Sequence, residues 1–92
     1  KDFLKALTIK KDYAVAANNL SGIYLMKKDY EKAFQYADQA IKADQKIANA
    51  YVNRGAALEM LRDQNGACEN WKKAAELGNA QGQQYYSSNC ND

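Results

Sequence analysis

The chain has 92 residues, of which 47% are hydrophobic and 26% charged, with a formal net charge of +2. These values suit one small globular domain rather than a disordered segment, and positive charges scattered among Asp and Glu leave no basic stripe for nucleic acid. No apolar run approaches the roughly 20 residues needed to cross a bilayer, so membrane insertion is not expected either.

From the N-terminus, residues 1–10 read as a helix, and Lys10–Lys11 then falls in a predicted turn. A second helix is predicted over 13–27, with Ala16, Leu20, Ile23 and Tyr24 on one face. Lys27–Lys28 marks another turn, after which Asp29 is placed to cap a helix over 30–43. That helix carries Ala33, Phe34, Ala37, Ala40 and Ile41 at apolar positions. The next, over 47–61, carries Tyr51, Ala57, Leu58 and Leu61. Asp63 caps a helix over 64–77 with Ala67, Trp71, Ala74 and Ala75, and Gly78 suits the left-handed residue that ends it. A last helix is predicted over 79–89. No segment alternates with period two, so the chain reads as all-α, its short connections making neighbouring helices antiparallel.

The chain also superposes on itself at a shift of 34 residues. Ala16 recurs as Ala50, Asn19 as Asn53, Met26 as Met60, Asp29 as Asp63, Ala33 as Ala67 and Ala40 as Ala74, while Ala6 lies one period before Ala40. A fixed period of this length marks stacked supersecondary units, none able to bury its apolar face alone. The alanines at 33, 40, 67 and 74 put a column of methyl groups on one helix face, where a neighbour can approach closely. Phe3, Tyr24, Tyr51 and Trp71 are the bulky residues expected to fill the space between pairs.

These residues resemble the tetratricopeptide repeat (TPR) pattern. Residues 14–47 supply Leu20, Tyr24, Ala33 and Ala40, and residues 48–81 supply Tyr51, Gly55, Ala67, Trp71 and Ala74. Residues 1–13, with Phe3, Ala6 and Leu7, resemble the second half of a preceding repeat, and residues 79–92 form a capping helix and tail. Ala17, Ser21 and Arg54 stand where the pattern has an aromatic residue, Gly and Leu. The final segment, from Trp71 to Tyr86, is also similar to Sel1-like repeats. The resemblance implies a single domain of antiparallel helical hairpins stacked as a right-handed superhelix, an α-solenoid fragment with a C-terminal capping helix. A chain that opens on Lys1, with no signal peptide, reads as a processed product or a piece of a longer protein.

Chemistry is sparse. The chain has no His, so the commonest general base and metal ligand is missing. Ser21, Ser87 and Ser88 have no evident activating partner, and Glu31, Glu59, Glu69 and Glu76 are spaced as helix-surface residues. No cofactor, metal or catalytic site is expected. Cys68 and Cys90 lie at similar distances on either side of the turn at Gly78–Asn79, so a hairpin would bring them level. Two readings stand: a disulfide pinning the last helix, with an exported or periplasmic setting, or two free thiols in a cytoplasmic protein.

The resemblance implies a protein-interaction module whose first helices line a concave groove for a peptide or protein partner. Carried over, the groove would show Val15, Asn18, Asn19, Gly22 and Met26 from one repeat, and Asn49, Val52, Asn53, Ala56 and Met60 from the next. Carboxamides match a peptide backbone without reading its side chains, and Met gives adaptable apolar contact. A carboxylate clamp is not expected, because Asn18, Gly22, Asn49 and Asn53 are neutral. The competing expectation is structural: the end of a longer solenoid, or self-association through the open N-terminal end to give a homo-oligomer.

Overall fold

A computed structural model describes the backbone of residues 2–90 and the side chains of residues 10–90. Five helices follow one another: α1 (Asp2–Met26), α2 (Tyr30–Ala43), α3 (Ala48–Met60), α4 (Gln64–Glu76) and α5 (Ala80–Asn89). No strand occurs among the described residues. Each helix packs on the next as a hairpin, and central α3 touches all four others. The contacts of α1 with α3 and of α3 with α5 make one layer, with α2 and α4 in the other. The architecture is all-α and TPR-like.

Hairpin ends recur atom for atom. Lys28 (φ 65) and Arg62 (φ 70), one period apart, are the left-handed residues that end α1 and α3. The following amides reach back five residues, Asp29 N to Tyr24 O at 2.9 Å and Asp63 N to Leu58 O at 2.8 Å. These bonds satisfy carbonyls that a helix end leaves open. Both aspartates then cap the next helix: Asp29 Oδ1 accepts from Lys32 N at 3.3 Å, and Asp63 Oδ1 from Gly66 N at 3.0 Å. Gly78 (φ 91) ends α4, and Asn79 caps α5 by accepting from Gly82 N at 2.8 Å.

The first expected turn does not form. Helices over 1–10 and 13–27 are instead one continuous helix, with Lys10 and Lys11 inside it. One period later the chain does turn, at residues 44–47, where Asp44 Oδ1 accepts from Lys46 N at 3.0 Å and Ile47 N donates to Asp44 O at 3.2 Å. Lys10 occupies the matching place and has no side-chain oxygen to accept the first of these bonds. No Gly or Pro interrupts residues 1–21 either, so helical hydrogen bonding runs straight through.

The buried face of α1 also differs from the expected one. Ala14, Ala17 and Ser21 face inward, whereas Ala16, Leu20 and Ile23 are exposed and Tyr24 is half-buried. The cause is the absence of a layer over the second apolar face, which the continuous helix carries away. Tyr24 stacks on Tyr36 with centroids 5.5 Å apart rather than filling the core. Phe3, Leu4, Ala6 and Leu7 have side chains outside the described residues.

The core runs through Ala17, Ala40, Ile41, Ala50, Tyr51, Val52 and Ala74, with Ile47, Leu77 and Tyr85 against it. Ala33, Ala40, Ala67 and Ala74 are wholly buried, consistent with close helix approach at the methyl column. Equivalent gaps in the two hairpins are filled differently. In the first, buried Ser21 donates its hydroxyl proton to Ala33 O at 2.7 Å. In the second, the matching residue is Gly55, and a Cβ there would lie 2.6 Å from Trp71 Nε1 and 3.1 Å from Ala67 O. Ala67 matches Ala33, and Trp71 matches Ala37. One unit therefore uses Ser with Ala, the other Gly with Trp.

Candidate functional site

The layer of α1, α3 and α5 presents a neutral polar face. Val15, Asn19, Gly22 and Met26 on α1 match Asn49, Asn53, Ala56 and Met60 on α3. Spacings of three and four residues put each set on one side of its helix. Val15, Asn19, Met26, Asn49 and Met60 are exposed, Met26 at 84%, while Gly22, Asn53 and Ala56 are half-buried. Val52 departs from the expected set. It is 5% exposed and belongs to the apolar core, because its side points from α3 toward the neighbouring helices. It therefore has almost no surface for a partner.

Two carboxamide pairs join the helices across this face. Asn53 Nδ2 donates to Asn18 Oδ1 at 2.7 Å, linking α3 to α1. Asn79 Nδ2 donates to Asn49 Oδ1 at 2.9 Å, linking the start of α5 to α3. Asn19, expected as the rung matching Asn53, is exposed, and Asn18 takes the interhelical bond instead. A carboxamide has two donors and one accepting oxygen with two lone pairs, so each pair leaves capacity unused.

Behind this face lies a polar brace that sequence reasoning missed. Arg54 donates to Asp38 Oδ1 at 3.0 Å and through Nε to Asn70 Oδ1 at 2.7 Å. Asn70 in turn donates to Gly66 O at 2.8 Å. One guanidinium thus ties α3 to α2 and α4, using the fork geometry that Lys lacks. The available signal was Arg54 itself, a charged residue where the TPR pattern has Leu.

Cys68 and Cys90 are joined by a disulfide with Cα atoms 5.7 Å apart, fastening the end of α5 to α4. Beside it Gln64 Nε2 donates to Asn89 O at 3.1 Å. Among the described residues, no group of three His, Cys, Asp or Glu side chains could hold a metal ion. No described helix is long and apolar enough to cross a membrane.

No family model matches the chain. A human protein named tetratricopeptide repeat protein 12 is 34% identical to it over 67 residues, which is 73% of this chain and 10% of that protein. The chain thus spans about a tenth of the length of this relative. Together with the stacked hairpins, the similarity supports a TPR-like helical repeat, a class that generally serves protein interaction. The Sel1-like likeness of the last hairpin has no support from this match.

Proposed function

We propose that this chain is a non-catalytic protein-interaction module that holds an extended peptide segment of a partner along the α1/α3/α5 face. The observation that carries this reading is the double carboxamide link, Asn18–Asn53 and Asn49–Asn79. Each pair fixes its amides in place while keeping donors and acceptors for a second partner. A peptide backbone presents alternating donors and acceptors, which these amides complement without regard to side-chain identity. Met26 and Met60, exposed one period apart, add polarizable apolar contact that adapts to different residues. The absence of His from the sequence supports a role without catalysis. The division into units 14–47 and 48–81 is part of this proposal, as is an oxidising compartment, which the Cys68–Cys90 disulfide supports.

The test is a pair of variants, Asn53→Ala with Asn49→Ala, and Met26→Ser with Met60→Ser, compared with wild type in pull-downs and against an immobilised peptide library. Circular dichroism verifies folding. Both variants should lose the same set of bound peptides by tenfold or more. Full retention of that set by a folded double variant refutes the role of this face.

A second reading has its own observation. Leu20 and Ile23 leave an apolar strip on α1 uncovered, which favours a structural or self-associating module over a peptide receptor. Its α5 side, with Gln81, Gln83, Gln84, Ser87 and Ser88 exposed, would shield the stack from water.

A further inference from the structure

The uncovered strip can be read against its own counterpart 34 residues later. Ala50 and Ala57 have no exposed surface, and Ala50 lies in one apolar cluster with Ala40 and Ile41 of α2. One period earlier, Ala16 is exposed and Ile23 is 45% exposed. The residues one period before Ala37, Ala40 and Ile41 are Phe3, Ala6 and Leu7. The repeat register therefore names the segment that fits over Ala16, Leu20 and Ile23: it is the first turns of α1.

Within one chain that segment and that face do not meet. Helix α1 runs unbroken from Asp2 to Met26, and a straight helix cannot lay its first turns on its last. Two copies remove the conflict. We propose that the chain forms a reciprocal dimer in which the Phe3–Leu7 segment of each α1 covers the Ala16–Leu20–Ile23 strip of a second copy. This is a domain swap in which residues 10–13, matching the turn at 44–47, stay helical as the hinge. The pairing of α2 with α3 sets the level. Ala40 and Ala50 share one apolar cluster at equal distances from Gln45, and the corresponding arrangement sets Ala6 of one copy against Ala16 of the other. The same register puts Lys10 of each copy level with Asp12 of its mate on either side of the twofold axis. These two opposite-charge pairs flank the axis, where Lys11 of one copy meets Lys11 of the other, and they offset that repulsion in the antiparallel arrangement.

The inference deepens the self-association reading and does not depend on the carboxamide face. Light scattering coupled to gel filtration should give twice the chain mass of 10.3 kDa at micromolar concentration. Leu20→Glu with Ile23→Glu alters exposed side chains only, so it should keep helicity and yield monomer, weakening association by about a hundredfold or more. Restoring the missing turn with Lys10→Asp and Asp12→Lys should likewise convert dimer into monomer. Ala6→Cys with Ala16→Cys supplies the register test: a covalent dimer on non-reducing gels supports the swap. A bridge within one chain, no bridge, or a wild-type monomer at millimolar concentration overturns it. Asn53→Ala with Asn49→Ala should leave the dimer mass unchanged, which separates failure of this proposal from failure of the peptide-face proposal.

Discussion

Adding one methyl group at Gly55 and one at Gly22 should move stability in opposite directions. Both glycines sit inside helices, so Ala at either gains about 1 kcal/mol of helix propensity. At Gly22 nothing lies within 4 Å of the new Cβ, and the gain stands alone. At Gly55 the Cβ would fall 2.6 Å from Trp71 Nε1 and 2.7 Å from Cδ1, where carbon contacts are comfortable at about 3.5 Å. Trp71 must yield by nearly 1 Å, yet it is 1% exposed and has no open side. Overpacking of this kind costs about 1–3 kcal/mol, so Gly55→Ala should be net destabilising by up to about 2 kcal/mol. For a domain of this size each kcal/mol shifts the midpoint by about 4–8 °C. Thermal and urea melts followed by far-ultraviolet circular dichroism should show Gly22→Ala melting higher and Gly55→Ala lower than wild type. The Gly55→Ala penalty should shrink in a Trp71→Ala background if that variant folds, since its own cavity costs about 3–5 kcal/mol. Equal stabilisation by the two alanines would refute the assignment of Trp71 as the lid over Gly55.

Further outcomes follow from other contacts. Lys28→Gly and Arg62→Gly, which relieve left-handed backbone, should each stabilise by about 0.5–1 kcal/mol, read as higher urea midpoints. Cys68→Ser with Cys90→Ser opens a loop of 22 residues and should cost about 3 kcal/mol; intact mass without reduction should show no free thiol in the parent. Arg54→Leu leaves Asp38 with Lys42 alone, at 3.2 Å, and opens the Asn70 side-chain oxygen; it should cost about 1–2 kcal/mol, a loss that narrows in 1 M salt because Asp38 is partly exposed.

What the residues disclosed depended on whether the cause was local. Asp29, Asp63 and Gly78 mark real helix boundaries because capping and left-handed backbone are decided within a few residues. The missing turn at Lys10–Lys11 shows the limit of reading local pattern alone: the same Lys-Lys-Asp-Tyr stretch turns at 27–30, where α2 folds back on α1, and stays helical at 10–13. The exposed Leu20 and Ile23 were assigned inward because helical spacing reports an apolar face without reporting whether anything covers it. Val52, expected on the groove, is buried, and Asn18, at the equivalent place on α1, takes the bond expected of Asn19, for a related reason. Equivalent positions on α3 and α1 have neighbours on different sides, and only packing decides which one faces water. Arg54 stood out, but its brace did not, since its two partners, Asp38 on α2 and Asn70 on α4, come from separate helices.

The unequal filling of the two gaps has a consequence for assembly. If α3 docked where α1 belongs, Gly55 would face Ala37 and leave a void. If α1 took the place of α3, the Ser21 side chain would press into the Trp71 indole. Two hairpins similar enough to substitute for one another are thereby made distinguishable, and a chain misthreaded by one period is penalised at its centre. The exchange of volume between neighbouring units acts as a key that admits only one order of stacking.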